Sequence, residues 1–295
     1  MSVWLNSNPN TSMLTVLHIT DSEMPVDGQS LIRSAKSGRN WAENELLAYK
    51  IQVSSQEAPQ FFGRELCPID HLDAKLLSTI DPSIASNLSK ETYRFLALLD
   101  LASHADVGQE SAINDFRKAV LEVTGYDELG TILRSRYDIP FTIAGETRTA
   151  KTGLCLVHFS SMILLVVQED KADGTSMQSP EAQVIAEAIA TFETNNRKRR
   201  NRHLERLESM NVPCITMIGT RPRFYKVPVT RELSKAVICG QYPKQSTIVT
   251  CCAPPPRLWS FEAMEVPDYR RIALQYYDAF RGFAKECWTA FIAGV

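Results

Sequence analysis

The sequence predicts an α/β fold, a mixed central β-sheet flanked by helices, and three stretches carry that reading. The run Met162 to Val167 is uninterrupted hydrophobe and passes straight into Gln168, Glu169, Asp170 and Lys171. A run this short with a polar end suits a strand covered on both faces better than a helix. Upstream, Asp138 to Ala144 and Leu154 to Phe159 are strand-like and joined to it by short turns, which together read as an antiparallel meander. Downstream, Pro180 opens a long amphipathic helix at its first position, with Val184, Ile185, Ala188, Ile189 and Phe192 on its apolar side.

Taken in order, residues 1 to about 40 read as an arm with one strand-like run from Met13 to Ile19. Trp41 to Ile51 has helical apolar spacing, followed by a loop from Pro59 to Pro68 and helices at Ala74 to Ile80 and Lys90 to Ala102. Glu110 to Val123 places Ala112, Ile113, Phe116, Val120 and Val123 on one side of a helix, and Gly125 ends it. The meander and the Pro180 helix, running to about Arg199, come next. Pro213 to Met217 and Phe224 to Val229 read as strands around Gly219, Thr230 caps a helix from Arg231 to Val237, and Thr247 to Cys251 is a further short strand. A run of prolines at 254–256 marks a boundary, and Asp268 to Ile292 is an aromatic-rich amphipathic helix docked on the core. The expected organisation is a mixed or helical region over 1–104, a core over 105–252 and a helical extension over 257–295.

Composition narrows the function classes. With 44% hydrophobic and 22% charged residues the chain can bury a full core, and a net charge of -2 gives no global attraction to nucleic acid or anionic lipid. Seven cysteines without a CxxC pair fit a reducing, intracellular setting, cytoplasmic or nuclear, better than a disulfide framework or a structural zinc site. No standard signal segment and no membrane span is expected.

The chemistry-bearing stretch is the end of the central strand. An acid, a spacer and a lysine there, Glu169-Asp170-Lys171, are what metal-dependent phosphodiester hydrolysis uses: the acid binds Mg²⁺ and the lysine, on the same face by alternation, meets the attacking water. The same triplet in Asp73-Ala74-Lys75 lies beside Leu72, Leu76 and Leu77 and reads as a solvated helix face. Glu110 sits in a first helical turn, and Gln183 and Glu187 stand one turn apart. The basic run from Arg197 to His203 reads as a solvated face, a phosphate-binding patch or a nuclear import signal.

The order helix, strand, strand, strand, helix, strand, with QESAINDF at 109–116, QEDK at 168–171, EAQVIAEAIATFETNNR at 181–197 and ITMIGTRPRFYKVPVT at 215–230, resembles the PD-(D/E)xK, or restriction-endonuclease-like, superfamily, and within it a group of fungal proteins. The resemblance spans roughly residues 107–250. It implies a Mg²⁺-dependent nuclease in which Glu169 is a metal ligand, Lys171 orients the water, Glu110 is an auxiliary acid and Gln183 lines the site. One position departs from it: the metal-bridging aspartate expected in a Thr-Asp-Val-Cys setting is replaced in Thr152-Gly153-Leu154-Cys155. Mg²⁺ is held by few protein carboxylates, so this loss predicts weak or abolished hydrolysis. Glu146 and Asp170 are the candidate replacements, although Asp170 alternates to the opposite face and Glu146 lies in a turn.

Three readings stay open at this point. One is a residual Mg²⁺-dependent nuclease. Another is a pseudo-nuclease that binds nucleic acid or a protein through the Arg197 to His203 patch, with Arg197, Arg199, Arg200 and Tyr225 as substrate contacts. The last is a metal-independent enzyme acting on a small molecule, for example by cyclisation or isomerisation. In it Glu169, Lys171, Glu110 and Gln183, with Tyr225 or His158, do acid–base work.

Overall fold

The computed structural model describes residues 35–104, 110–170, 179–256 and 262–294. The strand expected in Met13 to Ile19 lies outside them, as does Lys171. Helices are α1 (Glu43–Ala48), α2 (Ala58–Phe62), α3 (Ala74–Ser78), α4 (Lys90–Ser103), α5 (Glu110–Val123), α6 (Pro180–Asn201), α7 (Arg231–Cys239) and α8 (Pro267–Ile292). Strands are β1 (Ile51–Ser55), β2 (Thr131–Ile143), β3 (Glu146–His158), β4 (Ile163–Asp170), β5 (Ser209–Ile218), β6 (Arg221–Thr230) and β7 (Thr247–Cys252). They form one mixed sheet in the order β1-β7-β6-β5-β4-β3-β2. The pairs β1·β7 and β4·β5 are parallel and the others antiparallel.

The middle of the sheet is where hydrophobicity is most continuous. Every residue from Met162 to Val167 is at most 2% exposed, because β4 lies between β3 and β5 and is covered on both sides. Helix α6 lies on one side, and Asn195 pins it there: its amide accepts from Ile163 N at 2.9 Å and donates to Ile163 O at 2.8 Å, so a side chain completes the backbone pairing of the first β4 residue. From α8, Trp288 Nε1 donates to Leu164 O at 2.9 Å. Caps fall where short polar side chains precede helices: Ser179 accepts from Ala182 N, and Thr230 from Leu233 N.

The expected helix across Trp41 to Ile51 is corrected. It ends at Ala48, Lys50 takes a φ of +51°, and Ile51 starts β1, which pairs in parallel with β7. The loop expected from Pro59 onward contains α2, with Pro59 in its first turn and Gly63 as a left-handed C-cap. The strands β2, β3, β5 and β6 run several residues beyond their apolar cores, because ladder bonds continue where side chains turn polar. Asp73 caps α3 by accepting from Lys75 N at 2.9 Å, in an exposed setting, as the solvated reading of that triplet expects.

Candidate functional site

The end of β4 was expected to hold the chemistry, and its surroundings are built from β3, β5, α5 and α6. Of the expected catalytic set, Lys171 and the side chains of Glu110 and Glu169 lie outside the described residues. The backbone places Glu169 beside Met217 of β5 and Gln168 beside Thr216. Beyond the Leu154–Val167 pair no further β3–β4 register pairs occur among the described residues, and the register shift in this ladder lies at the other end, between Leu156 and Val157. Opposite Gly153, Arg136 of β2 has a φ of +52° and the ladder skips between the Ser135–Leu154 and Tyr137–Thr152 pairs.

Gly153 lies against α5. A Cβ on Gly153 would lie 3.0 Å from Asn114 Oδ1 and 3.5 Å from Arg117 Nη1. Arg117 is 1% exposed; its Nη1 donates to Asn114 Oδ1 at 3.0 Å, and its Nη2 reaches Met217 O at 3.5 Å. One guanidinium therefore spans from the β3 position where the resemblance calls for a metal-bridging carboxylate to the β5 residue registered with Glu169. A fixed cation here opposes a divalent ion twice, by filling space and by repulsion at short range. The described side chains around Gly153, Asn114 and Arg117, do not fit Mg²⁺. Glu146 offers no substitute, because it is paired with Arg148 at 2.5 Å at the exposed start of β3, roughly 20 Å of strand from Gly153. Among the described residues no group of three or more His, Cys, Asp and Glu is arranged to hold a metal ion.

Arg117 was missed in the sequence, yet a signal was there. It follows Ile113 by four and precedes Val120 by three, so it interrupts the apolar stripe of α5 with a charge. A charge on that stripe is buried against a specific partner or not tolerated at all.

A buried polar seam runs beneath α6. Gln168 Nε2 donates to Gln183 Oε1 at 3.1 Å, so Gln183 does stand at the end of β4. One turn further on, Glu187 is 1% exposed; burial pushes its carboxyl well above the usual range, and the Thr152 hydroxyl is its hydrogen-bonding neighbour. Burial thus favours the protonated form of Glu187. Across the sheet, register puts Gln168 beside Thr216, Thr216 beside Arg223, and Cys214 beside Tyr225. Tyr225 hydrogen-bonds with Thr216, Glu181 and Arg223; burial raises its phenol, and burial likewise raises the Glu181 carboxyl, which Arg223 opposes at 3.7 Å. Gln183 and Tyr225 accordingly belong to one polar patch under the first half of α6.

The basic run lies elsewhere. Arg197 to Arg200 begin fourteen residues after Gln183 on the same helix, roughly 20 Å away. Its members also diverge. Arg199 is buried and holds the carbonyls of Glu205 at 2.7 Å and of Phe291 and Ala293 at 3.1 Å, which fixes the end of α8 rather than meeting a substrate. Arg202 donates to Ser160 O at 2.5 Å, and Lys198 to Ser161 O. His158, at the far end of β3, bonds Ser160 Oγ through Nδ1 at 2.6 Å. Arg197 and Arg200 face a separate groove against α7. The cluster expected as one substrate surface is split into anchors and a groove, and neither lies at the β4 end.

Among the described residues no helix is long and apolar enough to cross a membrane. No family model matches the chain, and no curated protein resembles it at a significant level.

Proposed function

We propose that this protein is a degenerate PD-(D/E)xK nuclease-like scaffold in which Mg²⁺-dependent phosphodiester hydrolysis has been lost. The observation that supports this is the Arg117 guanidinium, buried beside Gly153 and bonded to Asn114 at 3.0 Å, in the place the bridging carboxylate would need for its metal. Substitution of the aspartate by glycine alone would leave a hole that water or a neighbouring acid could exploit. Substitution accompanied by an inserted cation removes the electrostatic basis for a divalent ion. Fold similarity does not carry activity across such a change. Calorimetric titration with Mg²⁺ and Mn²⁺ tests it: no binding up to about 1 mM is expected for the wild type, together with no cleavage of DNA or RNA. Metal-stimulated cleavage that disappears in Glu169→Gln would overturn it.

A second reading, a metal-independent enzyme of a small molecule, draws on a different observation. Glu181, Arg223 and Tyr225 form a hydrogen-bonded acid, cation and phenol, and Arg223 is half exposed, so the cluster reaches solvent. A carboxyl with a raised pKa beside a phenol suits proton transfer. Thermal-shift screening of carbonyl-bearing metabolites should then give hits whose stabilisation is lost in Tyr225→Phe; hits that are indifferent to Tyr225→Phe count against this cluster.

A further inference from the structure

The groove between the last turns of α6 and the start of α7 encloses about 380 Å³, within the range of roughly 300 to 1,000 Å³ typical of small-molecule sites. Its rim is formed by Arg197 and Arg200 of α6, Arg206 of the following loop, and Arg231 and Lys235 of α7. Its floor is apolar, from Phe192, Leu207 and Ile238. Two engaged carboxylates touch this charge. Glu193 accepts from Thr142 N at 2.8 Å and Thr142 Oγ1 at 3.0 Å, and Glu208 pairs with Arg231 at 2.8 Å. Glu232, the acid of the first turn of α7, is turned to Lys244 N at 2.9 Å and Gln245 N at 3.3 Å. Among the described residues Arg200, Arg206 and Lys235 have no ion pair.

The helix dipole accounts for only part of this. Cations at the C-terminal end of α6 are favoured by the dipole, but Arg231 opens α7, where it disfavours a cation, and Lys235 in the middle of α7 gains nothing from it. In a chain of net charge -2, so many like charges around one groove are a cost that a bound anion would offset. The neighbouring Lys198 feels the crowding: burial first, and Arg197 next, bring its ammonium down to about 8. The floor is preformed, since Asn196 clamps Leu207 by accepting from its N–H at 2.7 Å and donating to its carbonyl at 3.1 Å.

From this geometry we infer that the α6–α7 groove binds a small ligand carrying two or more phosphoryl groups on an apolar or aromatic ring, a nucleoside diphosphate being the type. The cationic rim takes the phosphates, with Arg200 and Arg206 suited to paired contacts, and the Leu207–Ile238 floor takes the ring. A nucleic acid strand fits less well, because the basic residues that would extend the groove are turned away: Arg199, Arg202 and Lys198 are bonded to backbone carbonyls elsewhere. The inference does not depend on the nuclease-like reading, since the groove lies about 20 Å along α6 from Gln183.

Calorimetry on the full chain without metal would use ADP, adenosine, pyrophosphate and a single-stranded DNA 12-mer as probes. ADP is expected to bind, with adenosine and pyrophosphate each at least about tenfold weaker. The variant Arg200→Ala/Lys235→Ala removes exposed side chains and should weaken ADP by about tenfold or more, while the ligand-free protein keeps or raises its Tm because like charges are relieved. No ADP binding at about 1 mM, equal binding by the variant, or tighter binding of the 12-mer with a steep salt dependence would each overturn the assignment. Metal titration of the β4 end is read separately, so either reading can fail without the other.

Discussion

At the scale of single residues, two positions dominate: Arg117, a cation buried beside Gly153, and Glu187, an acid buried in the core whose carboxyl burial raises well above its usual range. If the cation excludes the ion, restoring the carboxylate is not enough. Gly153→Asp alone should pair with Arg117 and bind no Mg²⁺, whereas Gly153→Asp/Arg117→Ala should bind it measurably; calorimetry on the two variants gives the answer, and binding by the single variant would refute the blocking role. Glu187 leads to a pH dependence. Its folded pKa is raised above the ordinary 4.5, so the native state holds a proton that the unfolded chain gives up. Its contribution to stability is whole below the unfolded value and is lost as pH rises towards and through the elevated folded one. Wild type should therefore lose urea resistance more steeply than Glu187→Gln as pH rises above the ordinary carboxyl value of 4.5, because the glutamine keeps the shape and has no proton to lose. At this scale the sequence was half legible. Gly153 was readable as a departure from the expected Thr-Asp-Val-Cys setting, but the Arg117 guanidinium beside it was not, because the contact joins residues 36 positions apart on different elements.

At the scale of elements, the legible features were those with long periodic patterns. α5 begins and ends where its apolar spacing and Gly125 say, α6 starts at its proline, and α8 starts one residue before the expected Asp268. β1 was hidden because Ile51 also fits the helical spacing of the preceding residues, and its strand character comes from β7, about two hundred residues away. Short elements take their state from tertiary partners. The fastening of α6 to β4 shows the same dependence. Asn195 serves both backbone groups of Ile163, so Asn195→Ala leaves a buried donor and acceptor without partners and should cost about 2 to 4 kcal/mol in urea unfolding. A loss below about 1 kcal/mol would show that other groups take over the pairing.

At the scale of the whole molecule, one hydrophobic cluster joins residues from Trp41 to Phe291, so the region before α5 and the helix α8 share a core with the sheet. The mixed sheet between helices was foreseen from the order of elements. That the ends of α6 and α8 meet was not, since no local pattern encodes that Arg199 grips the carbonyls at 291 and 293. Arg199→Met keeps the apolar stem but removes these charged bonds. It should destabilise by about 2 to 3 kcal/mol and expose the last turn of α8 to limited proteolysis before global unfolding. The Arg117 guanidinium has a consequence at this scale too. An ion held by carboxylates exchanges with its surroundings, is stripped by chelators and varies with supply, whereas a charge tethered to a helix by covalent bonds does none of these. The positive centre between Gly153 and Met217 is thus the same in metal-starved and metal-replete surroundings, and is inherited with the chain itself.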